Sequence, residues 1–404
     1  MAQFKDLPRS WKQVISYSLV ALASAAVTFG VCWGRNTTVN YSSNKKYSEN
    51  VAKIDEAYSV IDQYFIGDAD DQLMVDSAIS AMIQATGDKW SYYLNAEDYK
   101  AYKAANAKQY VGIGVTVNPD PNKGFLIEKV NENGGAKKAG LQVGDYITQV
   151  DGTSVVGKDS GEVQKLIQGT EGTAVEITVL RGEETITKKV ARGTITNIAV
   201  EGQMLENKIG LVTIHRFDEQ SSKEAISAIE NLMSQGAKGL IFDVRNNPGG
   251  YKSELVSLLD YLLPEGVLFR SEDYTGKTEE DRSDAKCLNL PMAVLMNEDS
   301  YSAAEFFAAA IAEYNWGTTV GAHTTGKGRF QVDIDLSDGS VIHLSVGRFF
   351  TPKGVDLAEA QGIAPQVEVS LTDAQKKDLA GGKLAPKDDP QVQAALQEVL
   401  KKVK

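Results

Sequence analysis

Residues 291–311 read PMAVLMNEDSYSAAEFFAAAI and combine a strand pattern, a turn and a helix pattern in that order. Residues 291–296 form a short apolar run that is typical of a buried strand, and residues 303–314 are apolar over a helical length. The polar turn between them ends at Ser302. Ligands of open α/β sheets bind where strands end, so we expect functional groups in this turn.

The chain around this segment alternates strand and helix patterns. Apolar strand patterns at 209–214 and 240–244 flank an amphipathic helix pattern at 221–235. The second strand ends in the turn RNNPGG, residues 245–250, and leads into another helix. This alternation predicts an α/β core, which we place at residues 194–371.

Residues 108–193 show a different pattern, in which short β-like runs alternate with Gly, Asn and Asp turns. One short helix pattern around residues 163–167 interrupts these runs. The segment has the size of a single small domain. We therefore expect a compact β-rich domain before the core, which makes the chain a multidomain α+β protein.

The segments on either side of these two domains carry no recognisable chemistry. Residues 51–107 have apolar side chains at steps of three and four, which predicts a small helical segment. We interpret it as a packing collar or a dimer surface, so a homo-oligomer is among the partners considered. Residues 372–404 form a polar tail that ends in a helix, with Asp389 and Pro390 as its cap and first turn.

The start of the chain predicts a membrane anchor. Residues 14–33 contain no charge and would span about 30 Å as a transmembrane helix, which is enough to cross a bilayer. Basic residues in 1–13 precede this run, so that end is expected to stay cytoplasmic. A polar tether at 34–50 follows. We therefore expect a single-pass protein of the cell membrane whose catalytic part is extracytoplasmic.

A cleaved signal peptide is the competing interpretation of the same segment. The run ALASAA, residues 21–26, offers the small side chains that a cleavage site requires. The apolar run continues past these residues to Trp33, however. This continuation favours an uncleaved anchor that binds the membrane as its partner.

Composition argues against several classes of protein. The chain has 404 residues, of which 42% are hydrophobic and 24% charged, as in globular proteins. Its net charge of −12 leaves no basic surplus for a nucleic-acid partner. Two cysteines and three histidines provide no metal-ligand spacing, so neither a metal nor another cofactor is expected.

Ser302 is the first candidate for chemistry. A serine at a helix N-terminus has free N–H groups and the positive end of the helix dipole beside it, which favours negative charge on a bound carbonyl. The same serine could simply cap the helix, because Ser302 and Glu305 form a capping-box pattern. This pattern alone leaves both interpretations open.

Lys327 is the second candidate and lies between two glycines, 25 residues after Ser302. The run GAHTTGK, residues 321–327, matches the start of a phosphate-binding loop, but Gly328 replaces the Ser or Thr that would hold magnesium. A lysine pressed against an apolar interior could instead act as a base, once burial lowers its pKa from about 10.4 towards 7 or 8. A histidine base, His323 or His343, is the alternative, although neither has a carboxylate nearby in sequence.

These motifs together resemble the carboxy-terminal processing peptidases, a family of serine peptidases. NEDSYSAAEFFAAAI is followed by GKGRFQ at the family spacing, and FDVRNNPGG, GDKWSYYL and FFTPKGVDLAEAQGIAPQVEV agree with the family as well. The resemblance implies an α/β peptidase core of the crotonase-like type. It also implies that Ser302 is the nucleophile, Lys327 the general base and Gln331 the residue that orients the lysine.

The resemblance further implies an oxyanion hole. Its donors fall on the backbone N–H groups of Ala303 and Gly249, the latter chosen over Gly250. The sequence departs from the family pattern at Tyr301 and three other positions. The three others are Ala304, Thr325 and Gln366. Ala is commoner in the family where Tyr301 stands, and we expect these departures to affect substrate preference more than chemistry.

The β-rich segment resembles a PDZ domain, through its GIGV loop and the run GGAKKAGLQVGDYITQVDG. In such domains the loop N–H groups bind the terminal carboxylate of a peptide, which lies as an added strand beside a helix. Carried over to this chain, Val163 and Ile167 face the last side chain of the peptide. The loop itself consists of Gly112, Ile113, Gly114 and Val115.

The expected function is therefore an endopeptidase with a Ser–Lys dyad. Its partners are proteins or peptides with a free C-terminus, which the PDZ domain binds before cleavage. The alternative from another class is a non-catalytic PDZ scaffold or substrate-presenting protein at the membrane. In that case the loop at 112–115 would matter, and Ser302 and Lys327 would not.

Overall fold

The fold is seen in a computed structural model of the chain. The described residues are 45–106, 109–131, 133–196 and 198–403. The expected anchor at 14–33, the segment at 1–13 and most of the tether at 34–50 lie outside these ranges. Within the described ranges, no helix combines the length and the apolar character that a membrane span requires.

The chain divides into two compact units, the first of which ends at Val75. This unit contains helix α1 (Lys45–Tyr64) and the beginning of helix α2 (Asp71–Gln84). No side chain of α1 is buried, and apolar residues such as Val51 and Ile54 are exposed. The helical pattern predicted for this region is present, with its apolar residues on the surface of the unit.

The second unit begins at Asp76 and opens with three short elements. After α2 come strand β1 (Tyr92–Leu94), helix α3 (Ala96–Ala105) and strand β2 (Gln109–Gly112). Asn95 caps α3, because its side chain accepts a hydrogen bond from the N–H of Asp98 at 2.8 Å. The turn before β1 carries Trp90, which contributes to the site described below.

An antiparallel sheet of six strands follows, as expected for the β-rich segment. Its elements are β3 (Val115–Asp120), β4 (Gly124–Val130), α4 (Gly135–Ala139), β5 (Tyr146–Val150), β6 (Thr153–Ser154), α5 (Ser160–Ile167), β7 (Ala174–Arg181) and β8 (Glu184–Ala191). The strand order is β3-β4-β5-β7-β8, with β6 beside β5. Phe125, Ile127 and Ile177 form the centre of its apolar core. Strand β9 (Gly193–Thr196) pairs with β2.

The rest of the chain forms the α/β core. Its elements are β10 (Val200–Met204), β11 (Ile209–Ile214), α6 (Ser221–Ser234), β12 (Gly239–Asp243), α7 (Lys252–Leu262), β13 (Gly266–Asp273), β14 (Thr278–Ser283), β15 (Met292–Met296), α8 (Ala303–Glu313), β16 (Gly317–Gly321), β17 (Arg329–Asp335), β18 (Val341–Phe350), β19 (Val367–Glu368), α9 (Asp373–Ala380) and α10 (Pro390–Leu400). The main sheet has the order β10-β11-β12-β15-β16-β19 and is parallel except for β10. A second, antiparallel sheet has the order β1-β18-β13-β14, with β17 on the other side of β18.

Helices cover both faces of the main sheet. Successive residues of a strand point to opposite faces, so Phe242 packs among α6, α7 and α8 while Ile241 packs against α10. Strands β12 and β15 are buried along their whole length, which explains their continuous apolar sequences. The C-terminal helix is therefore a structural layer of the core, and Asp389 caps it as predicted.

A buried ion cluster ties this C-terminal helix to the end of β12. Arg245 donates to Asp243 at 2.6 Å and to Asp389 and Gln391 at 2.8 Å. Burial by itself lowers the pKa of Arg245, but the charges of Asp243 and Asp389 outweigh burial and raise this pKa. The cluster fixes the start of the 245–250 turn.

Three turns meet at the carboxyl edge of the main sheet. The turns after β12 and β15 carry RNNPGG and NEDSYS, and β12 and β15 are neighbouring parallel strands. Strand β16 lies beside β15, and the turn that follows β16 carries Lys327. The sheet topology therefore brings the sequence candidates of the core together.

Candidate active site

Ser302 occupies a strained turn between β15 and α8. Its φ is 57° and its ψ is −127°, in a region that residues with side chains rarely adopt. A serine that only caps a helix has an extended backbone at this position. A sharp strand-to-helix turn with a strained serine is the geometry that presents a nucleophile at the end of a sheet.

Gly249 lies directly against this serine. A Cβ atom added to Gly249 would lie 2.7 Å from the Cβ of Ser302 and 2.9 Å from the backbone nitrogen of Ala303. Its φ of 89° also favours glycine. The close approach of two backbones here is what an oxyanion hole requires.

The two predicted oxyanion donors differ in their availability. Within the described chain, no acceptor binds the N–H of Ala303. The N–H of Gly249, in contrast, donates to Oδ1 of Asn247 at 2.8 Å. The N–H of Gly250, which sequence reasoning ranked second, has no acceptor among the described residues. The structure thus brings Gly249 and Ala303 together at Ser302. The N–H of Ala303 is available to a substrate, whereas that of Gly249 is bound to Asn247.

Side chains of the two turns hold each other in place. Asn246 and Asn297 form a reciprocal pair: the N–H of Asn246 donates to Oδ1 of Asn297 at 2.8 Å, and Nδ2 of Asn297 donates to Oδ1 of Asn246 at 2.7 Å. Ser300 adds a hydrogen bond from its hydroxyl to the carbonyl of Val244 at 2.7 Å. Sequence analysis did not identify these residues, because their partners lie about fifty positions away.

Glu305 joins the nucleophile turn to the lysine turn. This glutamate is fully buried, and its Oε2 atom accepts from the N–H of Ser302 at 3.0 Å and from the N–H of Lys327 at 2.8 Å. Its Oε1 atom accepts from the hydroxyl of Thr324 at 2.5 Å and from the N–H of Gly326 at 2.7 Å. Four donors compensate the buried charge.

The sequence pattern identified Glu305 only as part of a helix cap. A signal was present, because Glu305 is the single charged residue in the run AAEFFAAAI and a buried charge needs partners. The capping contact to Ser302 exists, yet the same carboxylate also binds the lysine turn. Its larger role is to hold the two candidate residues at fixed backbone positions.

The amine of Lys327 lies against two aromatic rings. Its Nζ atom is 4.6 Å from the ring centroid of Trp90 and 5.7 Å from that of Tyr301. Burial lowers the pKa of Lys327, and the charges of Asp88 and Glu305 oppose this shift only in part. A lowered pKa is what a lysine base needs, because only the neutral amine can accept a proton.

The structure does not join the three predicted catalytic side chains by hydrogen bonds. Among the described residues, no hydrogen bond links the Lys327 amine to Ser302. The side-chain amide of Gln331 donates to the hydroxyl of Ser345 at 3.0 Å and to the carbonyl of Arg329 at 3.2 Å, and it makes no bond to the lysine. The backbones of Ser302 and Lys327 are thus held together through Glu305. The Lys327 amine lies against aromatic rings, and the Gln331 amide binds other groups.

The two candidate histidines have partners of their own. His323 binds the carbonyl of Thr324 through Nδ1, at 3.0 Å. His343 binds Oδ1 of Asp333 at 2.6 Å, because β17 and β18 place these residues opposite each other. The sequence did not reveal this carboxylate partner. In the described chain neither histidine contacts Ser302.

The predicted peptide site of the β-rich domain is formed in part. The N–H groups of Ile113 and Gly114 have no acceptor among the described residues, as expected of a loop that binds a carboxylate. Gly112 ends β2 and Val115 begins β3. Both helix residues predicted to face the peptide are buried in the domain core. Val163 is 2% exposed and Ile167 8%.

The candidate site offers a hydroxyl, an amine and backbone N–H groups for chemistry. Across the described ranges, no group of three or more His, Cys, Asp or Glu side chains has an arrangement that could hold a metal ion. The hydroxyl, the amine and the N–H groups are sufficient for acyl transfer.

Comparison with known protein families finds three matching regions. The model of peptidase family S41 matches residues 208–369, and a PDZ domain model matches residues 126–181. The N-terminal domain of the activating protease CtpB matches residues 24–98. These regions include the candidate active site and most of the β-rich sheet.

Individual proteins agree with the family matches. The chain is 31% identical to the carboxy-terminal processing protease CtpA of Bacillus subtilis, over 92% of this chain and 79% of that protein. A probable CtpA-like serine protease of Staphylococcus epidermidis is also 31% identical, over 81% of this chain and 67% of that protein.

Solved structures include a similar fold of known activity. The photosystem II D1 C-terminal processing protease has a TM-score of 0.51 at 27% identity, and the alignment covers 84% of this chain and 92% of that one. A putative S41 protease from Bacteroides fragilis has a TM-score of 0.55 at 16% identity, with coverage of 86% and 97%. The second likeness concerns the fold alone.

Proposed function

The chain belongs to peptidase family S41, and from this premise we propose that it is an extracytoplasmic endopeptidase that uses Ser302 as nucleophile and Lys327 as general base. It is a serine protease of the carboxy-terminal processing type and carries a PDZ domain. One observation carries the proposed site: Ser302 has a strained backbone at the start of α8, directly against Gly249.

In the proposed reaction the neutral amine of Lys327 takes the proton of the Ser302 hydroxyl while the oxygen attacks the peptide carbonyl. The tetrahedral intermediate then collapses, the C–N bond breaks, and the lysine ammonium gives its proton to the leaving amine. Water that loses a proton to the same lysine hydrolyses the acyl-enzyme and restores Ser302. For the first step, the amine must move from the aromatic rings to the serine hydroxyl.

The N–H groups of Ala303 and Gly249 hold the oxyanion in this proposal. Ala303 has the positive end of α8 behind it, which stabilises developing negative charge. Gly249 must exchange the side chain of Asn247 for the substrate oxygen. In this exchange only the side chain of Asn247 moves, and a substrate oxygen that binds the Gly249 N–H more tightly favours the exchange.

The PDZ domain is proposed to bind the C-terminal region of a protein substrate. The support is the pair of loop N–H groups at Ile113 and Gly114, which have no acceptor among the described residues. We also propose that the chain is held at the cell membrane by residues 14–33, with all later residues outside the cytoplasm. A homo-oligomer is compatible with the exposed apolar residues of α1.

The direct test is cleavage of an unstructured protein such as casein by the full chain in detergent. We expect Ser302→Ala and Lys327→Ala each to reduce the rate by about 10³-fold or more. His323→Ala and His343→Ala serve as matched controls and should keep most of the activity. If Lys327→Ala cuts as well as the parent, a histidine becomes the base. A parent chain that cuts nothing would favour the PDZ scaffold instead.

A further inference from the structure

Two aromatic rings lie close to the amine of Lys327, and they come from distant parts of the chain. Trp90 lies in the turn before β1, and Tyr301 lies directly before the proposed nucleophile. Their ring centroids are 5.7 Å apart, with an angle of 31° between the planes. Both rings are half-buried. We call Trp90 and Tyr301 the aromatic pair.

We propose that the aromatic pair holds the Lys327 amine between turnovers and keeps water away from it, and that this sets the pH range in which the lysine accepts a proton. The proposal rests on the function proposed above, because it concerns the same lysine. It makes Trp90 and Tyr301 positioning residues, which act on the substrate through Lys327. The sequence motifs did not single out Trp90, and they indicated Tyr301 only as a departure expected to affect substrate preference.

The rings have two opposing effects on the amine. The face of an aromatic ring attracts an ammonium group, and this cation–π contact favours the charged lysine. The bulk of the ring excludes water, and loss of hydration favours the neutral lysine. At Lys327 burial is the largest influence and lowers the pKa, and the proposal assigns part of this burial to the two rings.

Charged groups around the pair act in the direction expected from their signs. Asp88 and Glu305 face Lys327, and both favour its charged form. Arg216 and Asp299 face Tyr301, and Arg329 faces Asp88 from the start of β17. The amine of Lys89 also lies over the Trp90 ring, 4.7 Å from its centroid. Exclusion of water from the amine must therefore outweigh two nearby carboxylates, and the aromatic pair is proposed to contribute to it.

Tyr301 provides the second ring beside the amine, with its centroid 5.7 Å from Nζ of Lys327. An alanine there would leave one side of the amine open. Substitutions at these two positions can separate the effect of side-chain bulk from the effect of the aromatic face. Leucine keeps much of the bulk but has no aromatic face, whereas alanine has neither.

The test measures the protonation of Lys327 without depending on catalysis. The full chain carrying Ser302→Ala is labelled with acetic anhydride over a range of pH, and the labelling of each lysine is followed by peptide mass spectrometry. The labelling midpoint of Lys327 is compared among chains with Trp90→Ala, Trp90→Leu and Tyr301→Ala. Trp316→Phe is the matched control, because Trp316 donates to the carbonyl of Leu288 and belongs to the core.

We expect Trp90→Ala and Tyr301→Ala to raise the midpoint by about one pH unit, because water reaches the amine. Trp90→Leu should lower it by about half a unit, because the attraction of the ring is lost while water stays excluded. Trp316→Phe should leave it unchanged. A midpoint that stays constant in both alanine variants, or an equal rise in Trp90→Leu and Trp90→Ala, would overturn the proposal.

A second measurement separates this inference from the proposed function. In chains with Ser302 intact, the rising limb of kcat/KM against pH should move with the labelling midpoint. If the midpoint moves while the parent shows no proteolysis, the aromatic pair stands and the peptidase assignment fails. If proteolysis is normal and the midpoint is constant, the peptidase assignment stands and the role of the aromatic pair fails. Should Trp90→Ala fail to fold, Trp90→Leu and Tyr301→Ala still decide the outcome.

Discussion

The nucleophile turn (residues 297–302) and the lysine turn (residues 325–328) meet at the carboxylate of Glu305 but are held in different ways. In the nucleophile turn, the side chain of Asn297 binds Asn246 of the neighbouring RNNPGG turn, and Ser300 binds the carbonyl of Val244 directly before that turn. In the lysine turn the backbone is fixed, while the amine rests on aromatic rings without a hydrogen bond in the described chain. One half of the proposed dyad is rigid and the other is positioned to move.

This difference between the two turns matches the different tasks of the nucleophile and the base. A nucleophile must meet its substrate and its oxyanion donors within a fraction of an ångström, so its turn is built as a rigid unit. A base must take and give protons in turn, so its side chain needs freedom to move. The following substitutions test this division, beginning with the residue common to both turns.

Glu305→Ala should have the largest effect, because it leaves buried N–H groups of both turns without acceptors. We expect the free energy of unfolding to fall by about 3 kcal/mol or more and the cleavage rate to fall by about 10³-fold. Chemical denaturation and casein cleavage measure the two effects. Glu313→Ala is the control on the same helix, where the carboxylate binds Thr351 and Lys353 away from the site. Equal rates in the two variants would show that Glu305 does not position the dyad.

Asn297→Ala removes the side-chain contacts between the nucleophile turn and the RNNPGG turn and leaves the hydrogen bond from the N–H of Tyr301 to the carbonyl of Asn247. A shift of the oxyanion donors relative to Ser302 should reduce kcat by about 10²-fold, with a small change of KM. Steady-state kinetics on a peptide substrate measures both quantities. Asn118→Ala is the control, since Asn118 is exposed and binds Glu128 in the PDZ region. A larger effect on KM than on kcat would contradict a rigid nucleophile turn.

Gln331→Ala tests the mobile half of the dyad and should have a smaller effect. The amide of Gln331 binds Ser345 and the carbonyl of Arg329 in the described chain, so its loss leaves the backbone of the lysine turn in place. We expect kcat to fall by about tenfold. Ser345→Ala, which releases the Gln331 amide, is the matched variant. A loss as large as that of Lys327→Ala would mean that Gln331 holds the lysine throughout the reaction.

Asp88→Asn should have the smallest effect, a shift in pH dependence. The Asp88 carboxylate favours the charged form of Lys327 and so raises its pKa. Without this charge the pKa of Lys327 falls further, and the neutral amine is present at lower pH. The rising limb of kcat/KM should therefore move to lower pH by about half a unit. Asp98→Asn, in the cap of α3, is the control, and a shift towards higher pH would refute the electrostatic argument.

Much of the fold and of the candidate site could be predicted from local patterns. Continuous apolar runs predicted the buried strands β12 and β15, because both faces of the main sheet are covered. The turn positions of Ser302 and Lys327 followed from the same runs. Asp389 and Pro390 predicted the start of α10, because a helix cap is a contact within one turn. Each of these features depends on residues close together in sequence.

The PDZ region shows the limit of that reasoning. The loop at 112–115 has the free N–H groups expected of it, since loop conformation is local. Val163 and Ile167, which are predicted to face the last side chain of a bound peptide, are buried in the domain core, and their contact with a peptide stays a prediction. How deeply a side chain is buried depends on elements elsewhere in the chain, which the residue types of α5 do not reveal.

The sequence by itself determined the order of the elements, the strand-turn-helix segment around Ser302 and the glycine-flanked position of Lys327. Tertiary structure alone decided that Glu305 binds both turns, that Trp90 lies over the lysine amine and that Gln331 points to Ser345. The physical reason is distance along the chain. Caps, turns and strand patterns arise among neighbouring residues, whereas these contacts join residues that only the packing of the sheets and helices brings together.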